Sequence, residues 1–360
     1  MNAKPDAAPE QPGLNSFKQA LEVLARLVAL AVIFVGFGLY VFAISEEMSF
    51  FSPGNIENIL RQSTVFAIAG LGATMVIITA GIDLSAGSVI ALAMVVTAMI
   101  LREGPLVDVV ENGEVVGQQI AGWWCGLALV GGVLSGAIVG TANGLMITAL
   151  RLVPFIVTLG SLQIIRGLAK GVADNREIVP PDNLLFDYLM SPVQGSKGWA
   201  GFNWQIAPLG VWLALLVAVF AAVLLRYTRF GRHVYAIGSN ESTARLCGVP
   251  VVRTKILVYA LAGGFAGLAG VMEFSKLNLG SPTGALTYEL YVIAACVIGG
   301  ASLMGGVGTI YGTLIGALII GTLYAGATQA GWPKWVQEIV IGGVIVAAVA
   351  LDQLRSRHAS

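Results

Sequence analysis

Long apolar runs alternate with short polar segments along almost the whole chain. Ten runs are long enough, or nearly long enough, to cross a bilayer about 30 Å thick as helices. They fall at residues 20–44, 57–80, 85–101, 121–149, 152–172, 207–226, 254–273, 287–303, 307–329 and 335–352. The pattern predicts an all-α fold, a polytopic transmembrane helical bundle of about ten spans, within a single membrane domain over residues 19–354.

A short tail flanks this domain at each end. Residues 1–18 are polar and rich in Pro and Ala, which predicts a disordered tail, and residues 355–360 form the second tail. The apolar run at residues 27–44 is longer than a signal-peptide core, and no small-residue cleavage site follows it. We therefore expect an uncleaved first span. Ten spans place both tails on the same side of the membrane.

Two of the predicted spans are short, and each lies beside a polar, glycine-rich break. Break 1 is residues 81–88 and break 2 is residues 299–308. Their glycines include Gly81 and Gly87, and Gly299, Gly300, Gly305 and Gly306. Transporters use interrupted spans to place irregular backbone beside a protein-lined cavity. Tight turns at the cytoplasmic face fit the same pattern, so both interpretations stay open.

Glycines at four-residue spacing form a ridge on each of two spans. The ridges consist of Gly132, Gly136, Gly140 and Gly144 in the fourth span, and Gly308, Gly312 and Gly316 in the ninth. Such ridges let helices approach closely through van der Waals contacts. They predict close packing either within the subunit or between two subunits.

Composition excludes an ordinary soluble protein. The chain is 56% hydrophobic and 11% charged, and its mean hydropathy is +0.82. The net charge of zero does not suggest a nucleic-acid partner. Three cysteines without a CxxC spacing and two widely separated histidines support neither a metal site nor a disulfide framework.

The distribution of basic residues orients the spans, because cytoplasmic loops are enriched in Lys and Arg. The segment at residues 226–255, called the basic loop below, carries six basic residues against Glu241 alone. The polar segments at residues 102–119 and 174–197, on the opposite side of a ten-span bundle, carry more acidic than basic residues. The charges therefore predict that the basic loop and both termini are cytoplasmic.

The basic loop also contains the signals of a short helix. Asn240 is an N-cap residue, Glu241 falls in the first turn and Arg245 in the last, Gly248 occupies the C′ position, and Pro250 blocks continuation. A helix of about two turns is marginal in water, so it must pack against its own domain or a docked partner. The alternative is a solvated loop whose charges only hold it inside.

Polar residues in or beside the apolar runs mark positions where burial is costly. Asp83, Asn143, Arg166 and Glu289 indicate a pore or an internal partner. Interfacial snorkelling is the alternative for Arg166 and Glu289. For Asp83 the alternative is a capping role at the helix that starts near Leu84.

Four motifs in order make the chain recognisable. They are GIDLSAGS at residues 81–88, GRHVYAIGSNESTARLCGV at 231–249, YEL at 288–290 and VIGGASLMGGVGTIYGTLIGALI at 297–319. Over residues 49–351 the chain closely resembles the ribose-type monosaccharide ABC transporter permeases, within the branched-chain amino acid/ribose permease superfamily. The polar N-terminal tail and the long acidic loop at 102–119 depart from that pattern.

The resemblance implies the membrane-spanning permease subunit of an ATP-driven importer for a monosaccharide or related polyol in the bacterial cytoplasmic membrane. Implied partners are an ABC ATPase with two nucleotide-binding domains, a periplasmic sugar-binding protein, and a second copy of the chain or a paralogous permease. The chain has no GxxxxGK phosphate loop. We therefore expect the ATPase to bind ATP and Mg²⁺, and expect no cofactor, metal site or enzymatic activity in this chain.

The resemblance also implies roles for particular residues. The family's ATPase-coupling helix matches Gly231, Arg232, Gly238, Asn240, Glu241, Ala244, Arg245, Leu246 and Gly248. A sugar pathway needs small groups and groups that bear a hydroxyl or an amide. The candidates for it are Asp83, Ser85, Ser88, Asn143, Gln163 and Asn278.

Three other functions remain to be tested against this interpretation. An ion-coupled secondary transporter also uses broken helices, but among the intramembrane carboxylates only Asp83 suits its needs. A gated sugar channel would carry flux without an ATPase. A membrane enzyme lacks support, because no nucleophile lies near a base. The sequence leaves the identity of the sugar open.

Overall fold

The computed structural model describes residues 12–45, 49–111, 114–182, 184–190 and 207–359 of the 360-residue chain. Its elements are, in order, α1 Pro12–Ser45, α2 Pro53–Ile78, α3 Ala86–Arg102, β1 Leu106–Glu111, β2 Glu114–Ile120, α4 Gly122–Ala149, α5 Pro154–Val172, α6 Leu184–Leu189, α7 Leu209–Tyr227, α8 Arg229–Ser239, α9 Glu241–Leu246, α10 Val251–Leu277, α11 Tyr288–Ile298, α12 Ile310–Gln329 and α13 Lys334–Ala359. A single 3₁₀ turn at Ser49–Phe51 precedes α2.

Seven helices in the described part of the chain are long and apolar enough to cross a membrane: α1, α2, α4, α5, α7, α10 and α12. The shorter apolar helices α3 and α11, of 17 and 11 residues, coincide with the two spans that the sequence marks as short. Helix α13 covers the tenth predicted run. The predicted polytopic helical bundle is therefore confirmed, with helices over all ten runs.

Two features differ from the sequence-based expectation. Strands β1 and β2 pair antiparallel, so the long acidic loop contains a hairpin that the all-α prediction omits. The Ile120 N–H donates to the Asp182 carbonyl oxygen at 2.9 Å, which ties this hairpin to the segment before α6. Helix α1 begins at Pro12, so residues 12–18 of the predicted disordered tail are helical, and residues 1–11 lie outside the described part.

The core is built around α2, with α10 and α12 beside it. Within an apolar stretch of 18 residues in each helix, 94% of the residues are buried in α2 and 17% in α1. A helix that is apolar on all sides and buried on all sides belongs at the centre of a bundle. Helices α1, α4, α5 and α7 instead present large apolar side chains at the surface, as helices that face lipid or another membrane subunit do.

The glycine ridge of α4 packs inside the subunit, against α10. A methyl group added at Gly136 would overlap the Gly263 carbonyl oxygen, and one at Gly140 would overlap the Tyr259 carbonyl oxygen. Two helix backbones meet there with no side chain between them. The α12 ridge packs against α11 in the same way, through contacts of Gly316 with Ala295. Packing within the subunit is therefore confirmed for both ridges.

Candidate functional site

Helices α8 and α9 lie within the basic loop, between the membrane-length helices α7 and α10. The Thr228 Oγ1 accepts a hydrogen bond from the Gly231 N–H at 3.2 Å and caps α8 immediately after α7 ends. A methyl group at Gly231 would overlap the backbone of Leu225, so glycine permits this tight elbow between the two helices. The loop is thus a structured pair of helices.

The predicted short helix is confirmed as α9, with both of its caps. Asn240 Oδ1 accepts a hydrogen bond from the Thr243 N–H at 2.9 Å. At the other end, Gly248 has φ of +81°, and the Gly248 and Val249 N–H groups donate to the Arg245 and Ala244 carbonyl oxygens at 3.1 and 3.0 Å. This is the Schellman arrangement, which favours glycine at the left-handed C′ position.

Two kinds of contact hold α9 to its neighbours. Ala244 is buried with Ile237 of α8 and Val251 of α10 in a small apolar cluster separate from the main core. Glu241 accepts hydrogen bonds from Lys255 Nζ at 2.6 Å and from Arg245 at 3.0 Å. The hydrogen bond from Lys255 is the largest cause of the lowered pKa of Glu241; desolvation opposes it, and the charge of Lys255 and the hydrogen bond and charge of Arg245 lower the pKa further.

The outer face of α9 is left open. Leu246 is 89% exposed, although leucine usually packs against other residues, and the Arg245 side chain beside it is 63% exposed. A single exposed leucine needs no explanation by itself. Here, however, it stands beside an arginine on a helix capped at both ends, and such anchors suit a docking surface.

Helix α8 joins this docking face to break 2 and to the end of α2. A methyl group at Gly238 would overlap the Ile78 carbonyl oxygen, and that oxygen also accepts a hydrogen bond from the Gly306 N–H at 2.9 Å. Tyr235 donates its hydroxyl hydrogen to the Gly308 carbonyl oxygen at 2.7 Å. The structure therefore brings a predicted coupling residue into contact with a predicted break glycine.

The two breaks have different local structures. In break 2, the φ angles of Gly300, Gly305 and Gly306 are +87°, +89° and +75°, so the chain turns through left-handed positions that favour glycine. Break 1 follows Ala80, an αL residue two positions beyond α2 with φ of +58°, and its first five residues are non-helical before α3 begins at Ala86. Of the other three named break glycines, Gly81 packs closely against Tyr259 of α10, Gly87 against Glu289 of α11, and Gly299 against α12.

Four of the six pathway candidates meet in a buried polar network beside break 1. Asp83 Oδ1 accepts hydrogen bonds from the N–H and Oγ–H of Ser85 at 2.8 and 2.6 Å. Asn143 Nδ2 donates to Ser85 Oγ at 3.0 Å, and Ser161 Oγ donates to Asn143 Oδ1. Ser88 Oγ donates to the Ser85 carbonyl oxygen at 2.7 Å. The network joins α3, α4 and α5 around the break.

The other two pathway candidates lie outside this network. Gln163 is exposed on the surface of α5. Asn278 adopts the left-handed C-cap position of α10, with φ of +53°, and its Nδ2 donates to Asp187 Oδ1 at 3.1 Å. Asp83 does not cap α3 in the expected way, because Ser85 occupies the N-cap position and Asp83 binds it from two residues earlier.

Arg166 has internal partners, so interfacial snorkelling is the wrong explanation for it. The side chain is only 7% exposed, and its guanidinium donates to the carbonyl oxygens of Gly284 at 2.6 Å and Pro282 at 3.3 Å, and also to Ala285. It therefore fastens α5 to the loop between α10 and α11. Five donors in a planar fork suit arginine to binding several carbonyl oxygens at once.

A second buried polar cluster was not predicted from the sequence. Lys276 Nζ donates to Glu273 Oε2 and Gln62 Oε1, each at 2.7 Å, and the Tyr288 hydroxyl donates to Glu273 Oε1 at 3.1 Å. The ring of Phe66 packs on Tyr288 with centroids 5.1 Å apart. The spacing of Glu273 and Lys276, three residues apart at the end of a predicted span, is the signal that could have revealed it.

Candidate metal ligands are not clustered in the part of the chain that the structure describes. Within the described residues, no group of three or more His, Cys, Asp or Glu side chains could hold a metal ion. The three cysteines are free thiols; Cys125 and Cys296 are buried, and Cys247 is exposed next to Leu246. The polar network and the docking face therefore consist of hydrogen-bonding and apolar groups.

Comparison with known proteins shows similarity along nearly the whole chain. A family model described as branched-chain amino acid transport system / permease component matches residues 55–349. The galactose/methyl galactoside import permease protein MglC of Salmonella typhimurium is 35% identical over 351 residues, 95% of this chain and 96% of that protein. The ribose import permease protein RbsC of Escherichia coli K12 is 39% identical over 305 residues, 84% of this chain and 87% of that protein. The D-allose transport system permease protein AlsC of Escherichia coli K12 is 35% identical, covering 91% and 90%. No solved structure matched the chain.

Proposed function

This chain belongs to the branched-chain amino acid transport system / permease component family, and we propose that it is the membrane-spanning permease subunit of an ATP-driven ABC importer for a monosaccharide or related polyol. It is a multi-pass membrane protein and a transport subunit, not an enzyme. The relatives are named for three different sugars, so they support a substrate class of pentoses and hexoses without selecting one member.

The observation that carries the proposal is the set of contacts that α8 makes. An exposed docking face on α9 continues through the Asn240 cap into α8, and α8 is in direct backbone contact with the end of α2 and with break 2. A force applied to Leu246 and Arg245 is therefore delivered to the two places where the helices are interrupted. Movement of a packed bundle through one rigid contact is enough for alternating access.

The proposed partners are those that the family resemblance implies. An ATPase with two nucleotide-binding domains docks on the α9 face and binds the ATP and Mg²⁺, because this chain has no phosphate loop. A periplasmic binding protein delivers the sugar at the opposite end, and a second copy or a paralogous permease completes the pathway. The six basic residues of the basic loop support a cytoplasmic position for it and for both termini, in the bacterial cytoplasmic membrane.

We propose different roles for the six pathway candidates. Asp83, Ser85, Ser88 and Asn143 are buried and use their polar groups on one another, so they hold break 1 in shape. Gln163 is exposed on α5, and we assign its amide to contact with a sugar hydroxyl, on a face of α5 that would line the pathway and not meet lipid. Asn278 and Asp187 would lie where the binding protein docks.

Reconstitution tests the proposal. The chain is placed in liposomes with its cognate ATPase and binding protein, and uptake of labelled pentoses and hexoses is measured with and without ATP. We expect uptake that needs ATP, and expect it to vanish when the phosphate-loop lysine of the ATPase is replaced. Uptake that follows a proton or sodium gradient without ATP would instead establish a secondary transporter.

The channel alternative makes a separate prediction in the same liposomes. A gated channel would pass sugar down its gradient without the ATPase or ATP, at a rate far above that of a carrier cycle. We expect no such flux from the chain alone. Downhill flux of sugar through the isolated chain would contradict the importer.

A further inference from the structure

A groove runs along the surface where α7, α8 and the start of α12 meet. Its volume is about 1050 Å³, just above the usual range for small-molecule sites. Its walls are largely apolar, and one end carries two arginines. The lining residues used below are Leu215, Val219, Ala222, Arg226, Arg232 and Tyr311.

The length of the groove matches one leaflet of a bilayer. Its α7 wall extends from Leu215 to Arg226 along one face of the helix, and these twelve residues, eleven steps of 1.5 Å, span about 16 Å. This is about half of a hydrocarbon core roughly 30 Å thick. An acyl chain of a lipid that enters from one leaflet would therefore lie along α7 from the head-group level to the bilayer midplane.

Charge separates the two ends of the groove. Arg226 and Arg232 stand at the end nearest α8 and α9, and both are exposed. Neither forms an ion pair with an acidic side chain in the part of the chain that the structure describes, and Arg226 lies only over the ring of Tyr227, 5.6 Å from its centroid. The far end, around Leu215 and Val219, is apolar. The groove is therefore complementary to an anionic amphiphile: its basic end suits the charged head group, and its apolar end suits the acyl chain.

We propose that this groove binds an anionic phospholipid of the leaflet on the α8–α9 side of the membrane. The head-group phosphate pairs with Arg226 and Arg232, and one acyl chain fills the groove between Leu215, Val219 and Tyr311. Basic pockets between transmembrane helices recognise lipid head groups through this combination of charge and apolar wall. The site does not depend on which sugar the protein transports.

A lipid in this position would also stabilise the contact between α8 and break 2. Tyr235 lines the groove and donates its hydroxyl hydrogen to Gly308 of break 2. The bound molecule would contact α7, α8 and α12 together, and it would stabilise the folded protein, since a ligand that binds only the folded state raises its apparent stability.

Lipid binding to the purified full-length chain tests this site. Phosphatidylglycerol and phosphatidylcholine are titrated separately in detergent, and the bound lipid is counted by native mass spectrometry while the melting temperature is recorded. We expect one tightly held phosphatidylglycerol and a matching rise in melting temperature, with much weaker retention of phosphatidylcholine. Each arginine near the surface contributes about fivefold, so Arg226→Gln with Arg232→Gln should weaken phosphatidylglycerol binding about thirtyfold.

Matched variants separate this site from general attraction to a basic surface. Arg229→Gln with Arg253→Gln removes the same charge from exposed arginines of the basic loop that do not line the groove, and it should leave the tight site intact. Ala222→Trp should fill the groove and block binding, whereas Val223→Trp, on the exposed side of α7, should not. Equal retention of both lipids, equal effects of the two arginine pairs, or a second copy of the chain seated in the groove would overturn the proposal.

Discussion

Gly238 of α8 packs directly on the carbonyl oxygen of Ile78, the last residue of α2, and leaves no room for a methyl group. The same oxygen accepts a hydrogen bond from the Gly306 N–H. One backbone carbonyl therefore joins the end of the most buried helix, break 2 and the helix that leads to the docking face. A substitution at this contact should therefore lower sugar transport more than it lowers ATP hydrolysis.

Gly238→Ala should uncouple the importer. The added methyl group forces α8 away from Ile78, and overpacking of this kind destabilises by about 1–3 kcal/mol. We expect sugar uptake to fall at least tenfold while the ATPase still hydrolyses ATP, together with a lower melting temperature. Gly126→Ala in α4 is the control, because nothing lies within 4 Å of a methyl group there. Wild-type uptake in the Gly238 variant would contradict the proposed transmission path.

Leu246→Ser should weaken docking of the ATPase without disturbing the fold. The side chain is 89% exposed, and surface substitutions of this kind change stability by about 0.5 kcal/mol or less. Loss of an interface anchor costs about 2 kcal/mol or more, which is roughly a thirtyfold loss of affinity. Copurification of the ATPase and the melting temperature of the free chain measure the two effects. Leu277→Ser, an exposed leucine at the far end of α10, should retain the ATPase.

Reversal of charge at Glu241 should detach α9 from α10. In Glu241→Lys the new ammonium group would face Lys255 and Arg245, which now pair with the carboxylate at 2.6 and 3.0 Å. We expect the ATPase to dissociate or hydrolyse ATP without transport while the membrane domain still folds. The double variant Glu241→Lys with Lys255→Glu restores an opposite-charge pair and should recover part of the coupling. Normal copurification and normal ATP-driven transport in the single variant would refute the assignment.

The same ion pair predicts how α9 responds to acid. The pKa of Glu241 is lowered in the folded protein, first by the hydrogen bond from Lys255, so the carboxylate stabilises the folded loop at every pH above its unfolded pKa of about 4.3. That stabilisation is lost as pH falls through the lower, folded pKa. A fluorescent label on the exposed Cys247 should show constant mobility from neutral pH down to about pH 5 and rising mobility below about pH 4.

The control for this measurement is Glu241→Gln, which cannot titrate. The label should be more mobile in this variant at neutral pH, and its mobility should lack the acid step. An acid step of the same size in both proteins would assign the transition to another group.

Asn143→Ala should destabilise the protein, whereas Gln163→Ala should not. Asn143 links Ser85 and Ser161 in a buried network, and each polar group left without a partner costs about 1–3 kcal/mol. Gln163 is exposed. Thermal unfolding should show a fall of several degrees for the first variant only. If Gln163 meets the sugar, its variant should transport more slowly at an unchanged melting temperature, a separation that a structural role would not produce.

The sequence by itself determined the features that depend on neighbouring residues. The apolar runs specify where helices form, because about twenty consecutive apolar residues suffice for a membrane span. Residues 240–249 specify where α9 begins and ends, since both caps are local hydrogen bonds. The β1–β2 hairpin was local as well, but its strands are short, and their apolar and polar residues do not alternate regularly.

Only the tertiary structure decided which faces meet. Gly238, Ile78 and Gly306 lie in three separate parts of the chain, and no local pattern predicts that one carbonyl oxygen joins them. The same holds for the network of Asp83 with Asn143. In helices that are apolar all round, hydrophobic periodicity carries little information about orientation. The orientations follow from close packing of glycine ridges and from the need of buried polar groups to find partners.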